Sequence, residues 1–376
     1  MIRLKKLLSD NLLNIRGWSS HRRIVVIESD DWGSIRMPSA GVYKQLSQSG
    51  IPVEKCPYNR FDSLEGENDL NALFDTLSEI SNSEGKHPVI TANCVVANPD
   101  FDKIQSSGFS EYQYEPVTSA FHQYKGCENS FSLWKEGLAG HLFYPQFHGR
   151  EHLNVRRWMN ALSAGLPETM MAFRHRLFGI STTITGETRK SYMAALDFDA
   201  PDELEDHKRI LADGLHLFEN LLGYRSFTFI PTNYTWHSEL ESTLKKEGIN
   251  AIQGARVQRQ PGTDGTLIKR HFTGETNTNG QIYLVRNASF EPATDSSRDW
   301  VDACLKEIAL AFFWRRPAII SSHRLNFIGS IVEENRKNNL NKFKELLSGI
   351  VNKWPDVEFM TSEELGRLII SDQRSS

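Results

Sequence analysis

Ile24-Val25-Val26-Ile27-Glu28-Ser29-Asp30-Asp31-Trp32-Gly33 sets two adjacent carboxylates directly behind a short apolar, β-branched run. An unbroken run of this length and type, closed by turn-forming residues, reads as a strand buried on both faces. Comparable runs recur at 88–97, 142–149, 226–232, 251–254, 282–290, 318–323 and 357–361. Between them lie amphipathic stretches at 70–81, 202–222, 236–247, 299–314 and 333–354. In the 202–222 stretch Leu204, Ile210, Leu211, Leu215, Phe218, Leu221 and Leu222 fall near one helical face. Strands alternating with helices predict an α/β fold with a largely parallel sheet, and seven or eight of them favour a single barrel-like domain over two domains.

Working outward, 37–64, 100–139 and 173–200 are richer in polar, aromatic and turn residues. They read as long insertions over one end of the barrel, where the carboxyl ends of the strands gather functional residues. Residues 258–280, rich in Gly, Thr and Asn, read as an extended loop or hairpin. The first twenty residues form a short amphipathic helical extension, with docking on the domain as the expected role. No apolar stretch reaches the length a bilayer demands. The opening residues carry basic groups but no unbroken apolar run, so a secretory signal is not expected and the chain reads as cytoplasmic.

The chain has 376 residues and a formal net charge of −4. That balance argues against a general nucleic-acid binder, which needs a concentrated basic face. Cys56, Cys94, Cys127 and Cys304 are widely spaced and include no C-x-x-C pair, which argues against a zinc ribbon or a redox dithiol.

Three constellations carry chemistry. Asp30-Asp31 is the first: neighbouring carboxylates repel, so holding both in one site raises one pKa or requires a cation. Because side chains alternate across a strand, a strand end or bulge must bring them together. The second is His148-Gly149-Arg150-Glu151-His152, whose imidazoles at i and i+4 share one face of a helix and suit one divalent ion. The glutamate is out of phase with the metalloprotease pattern. One carboxylate, two imidazoles and water make a common catalytic ligand set, which leaves the other aspartate free as a base. The third is His323, at the end of Ile319-Ile320-Ser321-Ser322, placed to protonate a leaving group.

In order and spacing these elements resemble the polysaccharide deacetylase family, also called the NodB-homology or carbohydrate esterase family four group. The family's Thr-Phe-Asp-Asp-Gly is met by Glu28 to Gly33, with one residue added, and its His-Ser/Thr-x-x-His by His148 to His152. Its closing Leu-x-His is met by Ser321-Ser322-His323. Phe229 to Tyr234 matches the third motif loosely, and Asp295 to Trp300 the fourth with one residue added. The resemblance implies a distorted (β/α) barrel of about seven strands. It implies Asp30 as general base, Asp31, His148 and His152 as metal ligands, and His323 as general acid. It also implies an oxyanion contact from the backbone near Tyr234. The implied reaction is attack of metal-activated water on an acetamide or ester carbonyl.

The departures are specific. Ile230 stands where the family has the arginine that tunes the base, and Arg225, Arg324 or Arg150 are the expected substitutes. Trp32, Arg150, Asn233, Tyr234 and Arg324 are expected to touch substrate. The expected cofactor is a divalent ion, Zn²⁺ first, with Co²⁺, Ni²⁺ or Mn²⁺ as alternatives. The expected partner is an acetylated sugar or glycan precursor rather than cell-wall polymer. Tyr112, Tyr114, Phe121, Tyr124, Phe131, Trp134 and Phe143 would either pack the insertion or form a sugar-stacking wall. Two other functions fit the same sequence: a hydrolase of a non-sugar amide, and a non-catalytic carbohydrate-binding protein of the same fold.

Overall fold

The computed structural model describes residues 11–185, 190–263 and 265–375. Residues 1–10 of the expected N-terminal extension lie outside these; residues 11–14 are helical.

Thirteen strands are present among the described residues. They are β1 (Ile24–Trp32), β2 (Ile90–Val95), β3 (Ala97–Pro99), β4 (Tyr114–Pro116), β5 (Phe143–Gly149), β6 (Thr228–Phe229) and β7 (Ala251–Gly254), then β8 (Val257–Gly262), β9 (Gly265–Arg270), β10 (Ile282–Val285), β11 (Ala288–Ser289), β12 (Ala318–His323) and β13 (Glu358–Met360). The main sheet runs β10-β7-β6-β5-β2-β1-β12-β11, and β13 joins the lower half of β1. Every pair in it is parallel. The result is a curled sheet with helical crossovers, the distorted (β/α) barrel expected. β3–β4 and β8–β9 are separate antiparallel hairpins, and β8–β9 falls within the expected 258–280 region.

β1 shows why the apolar run is unbroken. Val25 and Ile27 point into one core with Ile90, Ile320 and the helices Glu67–Ser78, Trp300–Phe313 and Glu333–Lys353. Ile24 and Val26 point the other way, against Ile319, Leu284 and the helix Ser362–Ser375. With both faces buried, alternation disappears from the sequence.

At the carboxyl end of β1 the regular pattern breaks. The register with β2 shifts between Ser29 and Trp32, and Asp31 takes a φ of 77°. A bulge with one residue in the left-handed region turns two neighbouring side chains toward the same space. Gly33 follows at φ 80°, where an added Cβ would sit 2.7 Å from the Val95 carbonyl oxygen. The chain can leave this bulge only through a residue without a side chain.

Candidate metal centre and active site

The first three candidate ligands meet at the carboxyl ends of β1 and β5. Asp31 Oδ1 lies 3.5 Å from His148 Nε2 and 3.3 Å from His152 Nε2, and all three side chains are buried. The imidazole pair is not helical: His148 is the penultimate residue of β5, Gly149 has a φ of 129°, and the following helix begins only at Val155. A sharp turn, not one helical face, brings His152 back over His148, with ring centroids 5.0 Å apart.

The protonation pattern tests the fit to a cation. His148 Nδ1 is 2.8 Å from the Ile230 carbonyl oxygen, which can only accept, so Nδ1 carries the proton and Nε2 turns its lone pair toward Asp31. Burial, and Arg36 next, push the His152 imidazole well below its usual range, so it is neutral at pH 7. Burial would raise the Asp31 carboxyl, but the Arg36 guanidinium beside it holds it well below the usual carboxylate range. A carboxylate oxygen and the Nε2 atoms of two imidazoles therefore converge on one point. That donor set is the one a divalent transition ion takes.

The charge balance points the same way. Glu28, Asp30, Asp31, Asp62, Glu65 and Glu291 are six carboxylates in and beneath the site, set against Arg36, Arg286, Arg324 and a protonated His323. Burial raises the Asp62 carboxyl and pushes Glu65 up to about 7, which reduces the negative excess without reversing its sign. A buried negative excess is expensive unless a cation is close.

Asp30 sits beside the cluster. Arg286 grips it with two bonds, Nη1 to Oδ2 at 2.7 Å and Nη2 to Oδ1 at 2.6 Å, and donates from Nε to Glu28 at 2.6 Å. Asn93 adds a third bond to Asp30 Oδ1 at 2.7 Å. Burial would raise this carboxyl, but Arg286 overrides it and holds Asp30 down at about 2. Arg286, immediately after β10, thus stands against Asp30, where Arg225, Arg324 or Arg150 was expected. A signal was present: it follows a strand-like run, Ile282 to Val285, in the same position that Asp30 and His323 take on theirs.

β12 pairs with β1 so that Asp30 and His323 are opposite each other. His323 Nε2 lies 3.8 Å from Asp30 Oδ2, and Nδ1 is 2.6 Å from Glu291 Oε1. Asn326 fixes the other Glu291 oxygen at 2.8 Å. Burial would lower the His323 imidazole, but Glu291 outweighs it and raises the pKa to about 9. His323 is therefore a proton donor at neutral pH. Its charge stabilises the fold fully below the ordinary histidine pKa, and this contribution is lost as pH rises toward about 9. The basic limb of activity is expected near 9 in the wild type. In Glu291→Gln it should move down toward the ordinary histidine range, which a pH–rate profile of the two proteins would read. An unmoved limb would detach Glu291 from His323.

Asp30, Asp31, His148, His152 and His323 line one cavity of about 400 Å³, together with Asn233 and Tyr234. Its outer wall comes from two of the expected insertions, through residues 56–59 and 177–182 with 191–193. Asn233 and Tyr234 have φ of 55° and 54°, a kink beside the cavity.

Three expected substrate contacts are corrected. Trp32 is wholly buried, donates its indole N–H to Ser29 Oγ at 3.0 Å and packs on Phe143. Arg324 is wholly buried between Asp62 and Glu65. Arg150 is held by Glu151 and Asp213 over the Tyr114 ring, outside the cavity lining. The fourth-motif residues form a helix start instead: Asp299 caps Asp302, and Trp300 donates to the Asp295 carbonyl. None of the seven insertion aromatics lines the cavity; Tyr58, Phe178 and Tyr192 do.

No family model matches the sequence, and no curated protein matches it. Solved structures do. A Mycobacterium smegmatis protein classed as a polysaccharide deacetylase matches at TM-score 0.45 and 10% identity, over 95% of this chain and 94% of that one. The peptidoglycan deacetylase PdaC from Bacillus subtilis matches at 0.36 and 10%, over 94% of each chain. The allantoinase PuuE matches at 0.44 and 11%, over 93% of this chain and 91% of that one. At these identities the likeness concerns fold alone, and the chemistry of the site rests on its own geometry.

Proposed function

We propose that the protein is a metal-dependent hydrolase that removes an N- or O-linked acetyl group from a carbohydrate or sugar-containing precursor. The observation carrying this reading is the convergence of Asp31, His148 and His152, with Asp30 and His323 flanking them in one cavity. Asp31, His148 and His152 would hold the ion, with Zn²⁺ first among candidates. When bound, such an ion supplies Lewis-acid chemistry, lowering the pKa of water and polarising a carbonyl.

The side chains divide the remaining work. Asp30, ionised and fixed by Arg286, accepts a proton from the attacking water. His323, kept protonated by Glu291, donates to the departing amine or alcohol oxygen. Arg286 keeps Asp30 ionised and Glu291 keeps His323 protonated, so the two groups, opposite each other on β1 and β12, hold complementary states over the same pH range. Tyr234 and Asn233 line the cavity where the sugar would sit. Among the described residues no helix is long and apolar enough to cross a membrane.

The test is acetate release by zinc-loaded protein from N-acetylated and O-acetylated sugars, with acyclic amides alongside. Release from a sugar, abolished by chelation and restored by zinc, is expected. Cleavage of acyclic amides alone would move the function to a non-sugar C–N hydrolase. A metal-loaded protein that releases nothing would leave a carbohydrate-binding role.

A further inference from the structure

Arg36 is a buried arginine of the site that the reading above leaves without a task. It lies five residues past Asp31 and lines the same cavity as His148, His152 and His323. Its Nη2 donates to Asp31 Oδ2 at 2.9 Å, the carboxylate oxygen turned away from the two imidazoles. Its other nitrogens are poorly served. Nη1 meets only the thioether sulfur of Met193, a weak acceptor, and Nε has no hydrogen-bond partner, with Asp62 Oδ2 3.7 Å away. Its side chain is only 12% exposed. Buried guanidinium N–H groups left so are costly, and Met193, the weak partner of Nη1, lines the same cavity as Arg36. Arg286 is the contrast: all three of its nitrogens have oxygen acceptors.

We infer that Arg36 is a catalytic residue that donates from Nη1 to the substrate carbonyl oxygen as that oxygen becomes an oxyanion. This rests on the hydrolase reading. Water oxygen bonds to the carbonyl carbon, the C=O π pair moves onto oxygen, and Asp30 takes the water proton. Collapse restores C=O, breaks the bond to the leaving nitrogen or oxygen, and His323 protonates the leaving atom. Arg36 transfers no proton; its N–H meets the negative charge while it exists. A preorganised donor within a water-poor site acts most strongly on charge that is present only in the transition state. The Met193 sulfur is the group the substrate oxygen would replace at Nη1.

The test compares wild type, Arg36→Met and Arg36→Lys, each loaded with zinc, with turnover expressed per bound ion. Turnover is expected to fall about a hundredfold or more in both variants with little change in KM, as for a lost oxyanion donor. Arg36→Lys keeps a cation beside Asp31 and so separates this role from anchoring. A second readout is calorimetric binding of methylphosphonate, a tetrahedral anion shaped like the hydrated acetyl group. Its affinity should fall about ten- to a hundredfold in Arg36→Met, as for a lost charge-assisted hydrogen bond. Turnover per bound ion unchanged in both variants, or methylphosphonate affinity unchanged, would overturn the assignment and leave Arg36 as a prop for Asp31. If wild type itself binds no metal and releases no acetate, the hydrolase reading fails instead, an outcome distinct from these.

Discussion

Asp30→Asn is expected to lower turnover by about a hundred- to ten-thousandfold while the metal stays bound, because it removes a general base and no ligand. Asparagine keeps the shape and one acceptor oxygen for Arg286, so the bulge at the end of β1 should persist. It cannot take a proton from water near neutral pH. Burial opposes ionisation of Asp30 and Arg286 overrides it, so wild-type Asp30 is ionised at any pH above about 2. Its loss in the variant should therefore be equally deep across neutral and alkaline pH. Steady-state rates and metal content of the two proteins check this. Turnover within about tenfold of wild type, below the usual range for a lost base, would remove Asp30 from that role.

The second large effect is on stability. Arg286→Met should destabilise the fold by about 3–5 kcal/mol, as breaking a buried pair from one side does. Glu28 and Asp30 would remain buried without their guanidinium, since Arg286 is the ion-pair partner of Glu28 and the bidentate partner of Asp30. The pH dependence follows in sign. In wild type the depressed Asp30 contributes stability that is present above the ordinary carboxylate pKa and is lost as pH falls toward about 2. Without Arg286, burial raises both carboxyls, and neutralising them in mild acid relieves the penalty. The deficit of the variant should thus be larger at pH 8 than at pH 5 in denaturant unfolding. A variant within about 1 kcal/mol of wild type, well below the cost of breaking a buried pair, would contradict the buried-pair reading.

Which parts of this site were legible in the sequence follows from the range of the interactions involved. β1 was legible because burial on both faces leaves an unbroken apolar run, and the helix at 203–222 because burial on one face leaves a periodic one. Asp30 and Asp31 were legible as a pair because like charges side by side at a strand end are costly. The bulge that serves them was foreseeable only as a need; the left-handed turn at Asp31 is set by packing against β2 and by Gly33. The imidazole pair was legible by spacing, yet the spacing pointed to a helix, and a turn through Gly149 achieves the same meeting.

The place of Arg286 after a strand-like run was readable, but its pairing was not, because Glu28 and Asp30 are more than 250 residues away in the chain. Glu291, 32 residues before His323, is hidden in the same way. Trp32 and Arg324 misled for the opposite reason. They adjoin motif residues, but adjacent positions on a strand or its end face opposite sides, and both turn into the interior. Of the two readings of the insertion aromatics, packing is the one that holds. Phe121, Trp134 and Phe143 pack on one another, and the rings at the cavity come from Tyr58, Phe178 and Tyr192.

The central claim is that Asp31, His148 and His152 form a metal site. Elemental analysis of purified wild type beside His148→Ala, each incubated with zinc and then desalted, tests it most directly. About one ion per chain in wild type and a near-complete loss in the variant is the expected result, since the remaining aspartate and single imidazole are too few for a tight site. No retained metal in either protein would contradict the account, leaving the two imidazoles and Asp31 as a buried polar cluster of another purpose.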